Sequence, residues 1–397
     1  MLVPLTNDPR DYAWGSTTLL AELEGREPSG RPESEVWFGD HPADPAETPD
    51  GRTLDAWLAA EGEVTGAPAH LPYLLKLLAA ASPLSIQAHP SKQQAEAGFA
   101  REEAAAIARD AADRTYRDAN HKPELIVALS EEFRALAGLR DLDSSRRLVR
   151  GLGAAARPLA ERLEGADASL AAVIGWVLSE EAVDDVREII GAAAAGGSDE
   201  FAAELHLVRA MDEQFPGDPG IVVALLMNLV TLRAGEGLFV PAGVLHAYLS
   251  GLGVELMAAS DNVLRGGLTP KHIDVAELLT VLDATPGAQP IVRGREVGPG
   301  VVRFDVPVAD FALERVRVEA GREATLAVGG ASIVLATAGA VTVTGASSGT
   351  AVSLAPGAAV FVTPDETSLR VVGEGELFIA APGTDAAPEP SDDSVLI

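Results

Sequence analysis

The chain of 397 residues contains no cysteine, and this absence removes several classes of site at once. Without thiols there is no disulfide framework, no thiolate metal site and no cysteine nucleophile. Any metal ion would therefore be held by imidazole nitrogens and by oxygen ligands. The absence of cysteine does not by itself indicate a cellular compartment.

Positive charge is also scarce, with 30 Lys and Arg residues against 59 Asp and Glu residues and a net charge of −29. Nucleic acid is bound by a basic surface, so we expect no nucleic-acid partner. An uninterrupted apolar run of about 18 residues, which a membrane span needs, is absent. Residues 1–8 lack a basic segment followed by an apolar core. We therefore expect a cytoplasmic protein with no membrane association.

Lysine is the rarest basic residue, because only Lys76, Lys92, Lys122 and Lys271 occur and the other 26 of the 30 basic residues are arginine. A chain that favours arginine is expected to keep lysine where a compact ammonium group is needed. Lys122 and Lys271 lie in the densest polar motifs. Lys76 is flanked by leucines, and we interpret it as paired at a site, with extension to the surface as the alternative.

Two imidazoles, a carboxylate and an amide in short strand-like segments offer a set of metal ligands. Gln87 and His89 are two residues apart, so in a strand both side chains point to the same face. Glu124 follows a proline and begins an apolar run that reads as a strand. His246 lies in another such segment, after a Pro-Ala-Gly turn. Gln87, His89, Glu124 and His246 together predict a site for one divalent metal ion. His41, His70 and His206 have no such neighbours and are interpreted as surface or packing residues.

The pattern of turns and apolar periodicity predicts a mainly β protein with a helical insert. Ser91 and Gln94 form a capping-box pattern, which predicts a helix that continues to about residue 112. Apolar residues every three or four positions predict helices within residues 131–227. A further helix is expected over 274–282, and short strands are expected from about 285 to 382.

An internal repeat indicates two copies of one β unit. Leu232, Gly235, Phe239 and Val240 recur in register 122 residues later as Leu354, Gly357, Phe361 and Val362. A turn followed by an apolar strand in each copy predicts two cupin-type jelly-roll β-barrels plus a helical domain. The second copy has Ser368 where the first has His246, so only the first barrel is expected to bind metal. The expected domains are 1–130 with 228–285 (catalytic), 131–227 (helical insert), 286–382 (second β domain) and 383–397 (disordered tail).

Four motifs in order resemble the type I mannose-6-phosphate isomerases, a family of the cupin superfamily. They are Ser85-Ile86-Gln87-Ala88-His89-Pro90, His121-Lys122-Pro123-Glu124, Pro241-Ala242-Gly243-Val244-Leu245-His246-Ala247-Tyr248, and the segment 260–271 around Arg265. The resemblance runs from Trp14 to Lys271 and is weak in the helical insert and the last barrel. The family usually has Arg-Ala-Gly where this chain has Arg265-Gly266-Gly267, and the extra glycine would loosen the backbone beside the arginine.

The resemblance implies one Zn²⁺ per chain, held by Gln87, His89, Glu124 and His246. It also implies that Arg265 is catalytic and that Lys122, His121, Glu255 and Asp261 act in the active site. Lys271, Ser85 and Trp14 are the residues predicted to contact substrate, with core packing as the alternative for Trp14. The choice of proton carrier among Glu255, Lys122 and His121 stays open, as does the choice of Arg265 or Lys271 as the partner of the phosphate.

The predicted function is interconversion of mannose 6-phosphate and fructose 6-phosphate through an enediolate, by a monomer. A cation beside the two substrate oxygens would stabilise the charge that develops there. Two alternatives are an iron-dependent cupin oxygenase, which would need no phosphate-binding cations, and a metal-containing protein that binds sugar phosphates without catalysis.

Overall fold

The computed structural model describes residues 1–165 and 169–383, so the predicted disordered tail lies, apart from Gly383, outside the described residues. The strands are β1 (Leu2–Leu5), β2 (Glu35–Phe38), β3 (Tyr73–Ala80), β4 (Ile86–Ala88), β5 (Glu124–Ala128), β6 (Phe133–Leu139), β7 (Met227–Leu232), β8 (Glu236–Val240), β9 (His246–Ala258), β10 (Leu264–Gly267), β11 (Ile291–Arg293), β12 (Arg295–Gly298), β13 (Val301–Phe304), β14 (Ala312–Val318), β15 (Glu323–Ala327), β16 (Ser332–Gly345), β17 (Ala351–Leu354), β18 (Ala359–Val362) and β19 (Ser368–Ala381).

The α-helices are fewer and lie mostly between β6 and β7. They are α1 (Leu19–Glu24), α2 (Leu54–Thr65), α3 (Lys92–Ala104), α4 (Leu142–Gly151), α5 (Arg157–Leu163), α6 (Leu170–Val177), α7 (Val183–Ala195), α8 (Ala202–Gln214), α9 (Gly220–Leu225) and α10 (Val275–Val281). The fold is therefore mainly β with helices, as the sequence predicted. Within the described ranges, no helix has the length and apolar character that crossing a bilayer would require.

The longest strand of the first sheet, β9, organises the strands around it. Its first residues pair with β4 and β6, and its later residues pair with β3 and β5, always antiparallel. The sheet path runs β10-β4-β9-β5-β8-β11. Strands that carry polar side chains from distant parts of the sequence are thus brought next to β9.

The second sheet runs β1-β18-β16-β19-β14-β13-β12, with β15 and β17 paired beside it. Two strands, one in each sheet, cross the domain limits expected from the sequence. The N-terminal strand β1 pairs with β18 of the second sheet, whereas β11, from the C-terminal part, pairs with β8 of the first. The strand order of each sheet is an open path over the residues that the structure describes.

The two sheets share an apolar core, which explains the alternation along β3. Leu75 and Leu77 of β3 pack with Ile333 of β16 and Phe378 of β19. Lys76 lies between these leucines and points to the opposite face, because successive side chains of a strand alternate. One face of β3 therefore joins the sheets, and the other is left to line a cavity.

Several local predictions are confirmed. Ser91 Oγ accepts from the backbone N–H of Gln94, whose side chain accepts from the Ser91 N–H, so the capping box begins α3. Helix α3 ends at Ala104, earlier than predicted. Helix α10 is confirmed with Asp274 at its N-cap. The predicted insert from residue 131 is narrower, because 133–139 form β6, which pairs with β9.

The repeat is also visible in the structure. Gly235 and Gly357 have φ values of +85° and +86°, a left-handed conformation that favours glycine, and a strand begins after each. The next strands begin at His246 in the first copy and at Ser368 in the second. The two copies thus have the same order of turn and strands, from the glycine turn to the strand that begins at His246 in the first copy and at Ser368 in the second.

Candidate metal and substrate site

Three neighbouring strands place polar side chains in one row. Gln87 of β4 pairs with His246 of β9 on one side and with Arg265 of β10 on the other. Directly paired residues of antiparallel strands project to the same face. All three line a cavity of about 780 Å³. Arg265 itself is paired in register, but the pairing of β10 with β4 is irregular between Arg265 and Gly267, at the additional Gly266.

His89, Glu124 and His246 meet beside this row, with ligand atoms within 4.8 Å of one another. Glu124 Oε1 lies 3.1 Å from His89 Nε2, and Glu124 Oε2 lies 3.3 Å from His246 Nε2. All three side chains are buried. The convergence that the sequence predicted for these three residues is therefore observed.

Backbone carbonyl groups orient both imidazoles. His89 Nδ1 lies 2.7 Å from the carbonyl oxygen of Asn262, and His246 Nδ1 lies 3.2 Å from that of Val244. A carbonyl oxygen only accepts, so each Nδ1 carries the proton and each Nε2 presents a lone pair toward Glu124. Burial, together with the charge of Lys122, lowers the pKa of His89 to about 4, which keeps this ring neutral.

The atoms that face one another fit a divalent cation. His89 Nε2 is buried and has no hydrogen-bond partner among the described residues, although Glu124 Oε1 is close. Two lone-pair donors face each other there, and a buried polar atom left unpaired is costly. Gln87 Nε2 donates to Ser85 Oγ at 2.9 Å, which leaves the Gln87 amide oxygen free. Two nitrogens, a carboxylate and this oxygen form a donor set that suits Zn²⁺ and other divalent metals.

Lys122 keeps Glu124 ionised. Its Nζ lies 3.0 Å from Glu124 Oε1. Burial by itself would raise the pKa of Glu124, but the charge of Lys122 and the contacts with His89 and His246 outweigh it, and the pKa lies well below its usual value. The carboxylate can therefore act as an anionic ligand.

A second buried charge cluster lies on β2, β3 and β9. Lys76 Nζ is 3.0 Å from Glu255 Oε2 and 3.7 Å from Glu35 Oε1. Trp37 Nε1 donates to Glu35 Oε2 at 2.8 Å, and Lys76 Nζ lies 4.9 Å from the centre of the Trp37 ring. The interpretation of Lys76 as paired at a site is thus confirmed.

The pKa values in this cluster follow from its excess of carboxylates. Burial raises the pKa of Glu255 and outweighs the opposite effect of Lys76, while Glu124 and Glu35 raise it further. Burial alone would lower the pKa of Lys76, but the carboxylates around it raise it instead. The affinity of the Glu255 carboxyl group for a proton is thus increased.

His41 contacts Asp261, contrary to its interpretation as a surface or packing residue. His41 Nε2 lies 3.2 Å from Asp261 Oδ1, and the His41 side chain is only 8% exposed. The hydrogen bond from His41 outweighs burial and lowers the pKa of Asp261. This pair lines the cavity, and an isolated histidine in the sequence carries no signal for such a contact.

Most of the residues predicted from the sequence line the cavity: Trp14, Ser85, Gln87, Lys122, Glu124, His246, Glu255, Asp261, Arg265 and Lys271. His89 is not among the lining residues, but its Nε2 lies 3.1 Å from Glu124 Oε1, which does line the cavity. His121 is not among the lining residues either, and its Nε2 lies 2.7 Å from Asp310 Oδ2. A role of His121 in proton transfer stays a prediction, and this contact gives it a different partner.

Sequence reasoning missed other lining residues, among them Arg10, Tyr12, Glu35, His41 and Arg117. Glu35 and Trp37 lie two residues apart in a strand-like segment, a spacing that places them on one face. The spacing alone does not predict whether that face of the strand is turned toward the proposed metal ligands. The pairing of Trp37 with Lys76, and of Lys76 with Glu255, provides that information.

Comparison with known proteins gives consistent matches. A model of the phosphomannose isomerase type I catalytic domain matches residues 2–142. The mannose-6-phosphate isomerase of Escherichia coli (strain K12) is 36% identical over 391 residues, covering 94% of this chain and 97% of the relative. The human mannose-6-phosphate isomerase is 31% identical over 422 residues, covering 95% and 97%.

Solved structures agree. The mannose 6-phosphate isomerase of Salmonella typhimurium, bound to its substrate fructose 6-phosphate and to zinc, has a TM-score of 0.85 and 32% identity, with 96% of this chain and 99% of that chain covered. A zinc-bound mannose 6-phosphate isomerase also has a TM-score of 0.85 and 32% identity. These matches extend over nearly the whole chain and confirm the resemblance seen in the four motifs. The chain belongs to the type I mannose-6-phosphate isomerase family.

Proposed function

We propose that this protein is a metal-dependent isomerase that interconverts mannose 6-phosphate and fructose 6-phosphate. The observation that carries this proposal is the convergence of His89, Glu124 and His246 in one cavity with Arg265. A relative with the same fold binds zinc and fructose 6-phosphate. Family membership over 94% of the chain supports the same activity.

Zinc is the proposed metal, one ion per chain, held by Gln87, His89, Glu124 and His246. The ligand types and the unpaired Nε2 of His89 support this assignment. When bound, the ion supplies positive charge that stabilises developing negative charge on substrate oxygens. Asn262 and Val244 hold the two imidazoles in the tautomer that binding requires.

The reaction moves one proton between neighbouring carbons. A base removes the proton from C2 of the aldose and an enediolate forms. The proton returns at C1, and the hydroxyl proton of O2 passes to O1, so that O2 becomes the carbonyl oxygen of the ketose. We assign the proton transfer to Glu255 or Lys122, since both line the cavity and the pKa of Glu255 is raised toward the working pH. Arg265 stabilises the enediolate oxygens, because its register partner is the metal ligand Gln87.

The other predicted residues have supporting roles in this proposal. Asp261 is held by His41 and faces the substrate, while Ser85 orients the amide of Gln87. Lys271 contacts the phosphate, and Trp14, stacked on Tyr12 at 5.7 Å, lines the sugar-binding part of the cavity. His121 holds the loop before Lys122 through its contact with Asp310.

We propose that each sheet system corresponds to one jelly-roll unit. The repeat of turn and strand at Gly235 and Gly357, and the antiparallel pairing of the strands around β9 and β16, support this description. The proposed domains are those expected from the sequence, except that β6 belongs to the first sheet and that β1 and β11 cross between the two sheets. A monomeric state and a cytoplasmic location stay predictions.

The decisive experiment measures interconversion of the two hexose phosphates before and after treatment with a chelator, and again after reloading with Zn²⁺. We expect activity to be lost and then restored, with hydrogen exchange between solvent and substrate. Activity that persists after complete metal removal would contradict the proposal. Oxygen consumption, or saturable binding without solvent exchange, would favour the oxygenase or the non-catalytic alternative.

A further inference from the structure

Three cationic side chains, Arg117, Arg265 and Lys271, line the same cavity in a chain of strongly negative net charge. In the described part of the chain, none of the three has a carboxylate oxygen within ion-pair distance. Arg114, three residues before Arg117, shows the usual contrast, because its guanidinium is buried and lies 2.9 Å from Glu102. A group of cations without counter-charges is costly unless an anion joins it.

The position of Arg117 is held by a buried side chain. Asn262 is fully buried, and its Oδ1 accepts from the backbone N–H of Arg117 at 2.7 Å. Asn262 Nδ2 donates to the carbonyl oxygens of Asp118 and Asn120, each at 2.8 Å. Asn262 lies three residues before Arg265. The backbone segments that carry the two arginines are therefore joined by direct hydrogen bonds.

The charges of the three side chains affect one another. Burial and then the charge of Arg117 lower the pKa of Arg265. Burial, Arg265 and Arg117 lower the pKa of Lys271 in that order. Like charges held close together repel, and an anion bound between them relieves that repulsion. Arg117 thus belongs electrostatically to the same cluster.

The three cations differ in depth. Arg265 is half-buried and has the metal ligand Gln87 as its register partner, whereas Arg117 and Lys271 are exposed at the entrance of the cavity. A hexose 6-phosphate whose C1 and C2 lie at the metal ligands has its phosphate at the far end of the molecule. The phosphate group would therefore lie at the entrance, beside Arg117 and Lys271.

We infer that Arg117 is a substrate-binding residue that contacts the phosphate group together with Lys271, leaving Arg265 free for the reacting oxygens. A guanidinium can donate two parallel hydrogen bonds to a phosphate, which the ammonium of Lys271 cannot do. This inference rests on the proposed function for the identity of the substrate. The anion site itself rests on the side chains and does not need that function.

The test compares Arg117→Gln and Arg117→Lys with the wild-type metal-loaded enzyme. Arg109→Gln is the matched control, since Arg109 is exposed and does not line the cavity. Loss of charge-assisted hydrogen bonds predicts that Arg117→Gln raises the KM for mannose 6-phosphate about tenfold to a hundredfold, with kcat within about threefold of wild type. Arg117→Lys should lie between wild type and Arg117→Gln, and the control should match wild type.

Calorimetric titration with inorganic phosphate separates this inference from the proposed function. Arg117→Gln should weaken phosphate binding about tenfold or more while zinc content and Tm stay unchanged. Unchanged KM and unchanged phosphate affinity in Arg117→Gln would overturn the inference, as would a loss confined to kcat. If wild-type protein binds phosphate but isomerises neither hexose phosphate, the proposed function fails, and the phosphate titration of the variants still decides the role of Arg117.

Discussion

His89 Nδ1 lies 2.7 Å from the main-chain carbonyl oxygen of Asn262, so a residue 173 positions away fixes the tautomer of a proposed metal ligand. The side chain of the same Asn262 holds the backbone of Arg117 and Asp118. One buried asparagine therefore connects the proposed metal ligand His89 to the cationic side of the cavity. A displacement of Asn262 would therefore move both His89 and the backbone of Arg117.

Asn262→Ala is expected to weaken metal binding as well as stability. Two backbone carbonyl groups lose a donor and two N–H groups lose an acceptor, so the free energy of unfolding should fall by about 1–3 kcal/mol or more. The main-chain carbonyl that orients His89 remains in the variant, but the side-chain hydrogen bonds that fix the position of residue 262 are lost, so zinc affinity should weaken by up to about tenfold. Denaturant unfolding of the protein after metal removal by a chelator measures the loss of stability. A competition titration with Zn²⁺ measures the loss of zinc affinity.

Asn228→Ala is the matched control for that variant. Asn228 Nδ2 donates to the carbonyl oxygens of Ala137, Leu139 and Gly287, and its side chain does not line the cavity. This variant should lose a similar amount of stability and keep the zinc affinity of wild type. Equal losses of zinc affinity in the two variants would show that Asn262 acts only through general stability.

Lys76→Met should destabilise the protein strongly. Its ammonium, 7% exposed, lies between Glu255 and Glu35, and removing it leaves two buried carboxylates without a cation. Breaking a buried ion pair from one side typically costs about 3–5 kcal/mol. Urea unfolding at pH 7 measures the change. The double variant Lys76→Met with Glu255→Gln should recover part of the loss, and no recovery would contradict the pairing.

Glu255→Gln should reduce kcat by a factor of about 10² or more, since Gln cannot carry the proton. His121→Gln should have a much smaller effect on kcat, because His121 contacts Asp310 and does not line the cavity. Steady-state kinetics and solvent hydrogen exchange into the sugar distinguish the two variants. A wild-type exchange rate in Glu255→Gln would assign the proton transfer to Lys122.

The stability of the second sheet should depend on pH through Glu366. This carboxylate is buried and accepts from the backbone N–H groups of Ser347 and Ser348 at 2.7 and 3.0 Å. Burial alone would raise its pKa, but the hydrogen bonds with the Ser348 side chain and with these backbone N–H groups outweigh it, and the pKa is lowered from its usual value of 4.5. The folded state therefore binds this proton less readily than the unfolded state. Its contribution is present above the unfolded pKa near 4.5 and is lost as the pH falls through the lowered pKa.

Glu366→Gln tests this dependence. At pH 7 the variant should be less stable than wild type by about 1–3 kcal/mol, and the difference should shrink as the pH falls below about 4. Glu374→Gln, at an exposed position, should differ from wild type by less than about 0.5 kcal/mol at either pH. Urea unfolding of wild type and the two variants, each freed of metal by a chelator, measures the effect over this pH range. A stability difference between wild type and Glu366→Gln that does not change with pH would contradict it.

The local elements and the residues of the candidate metal site were predictable from the sequence, because they depend on neighbouring residues. The capping box at Ser91 begins a helix through contacts within four residues. The spacing of Gln87 and His89 places both on one face through the alternation of a strand. The family motifs add Glu124 and His246, which each lie on a recognisable apolar strand.

The remainder of the site was decided by strand register and long-range contacts. Lys76 enters the cavity because β3 pairs with β9, which places it opposite Glu255, far away in the chain. The backbone N–H of Arg117 donates to the side chain of Asn262, 145 positions away, and no local sequence pattern predicts this hydrogen bond. The sequence by itself determined which residues could bind a metal. Only the tertiary structure decided which charges surround it, since burial and pairing depend on residues that are neighbours in space alone.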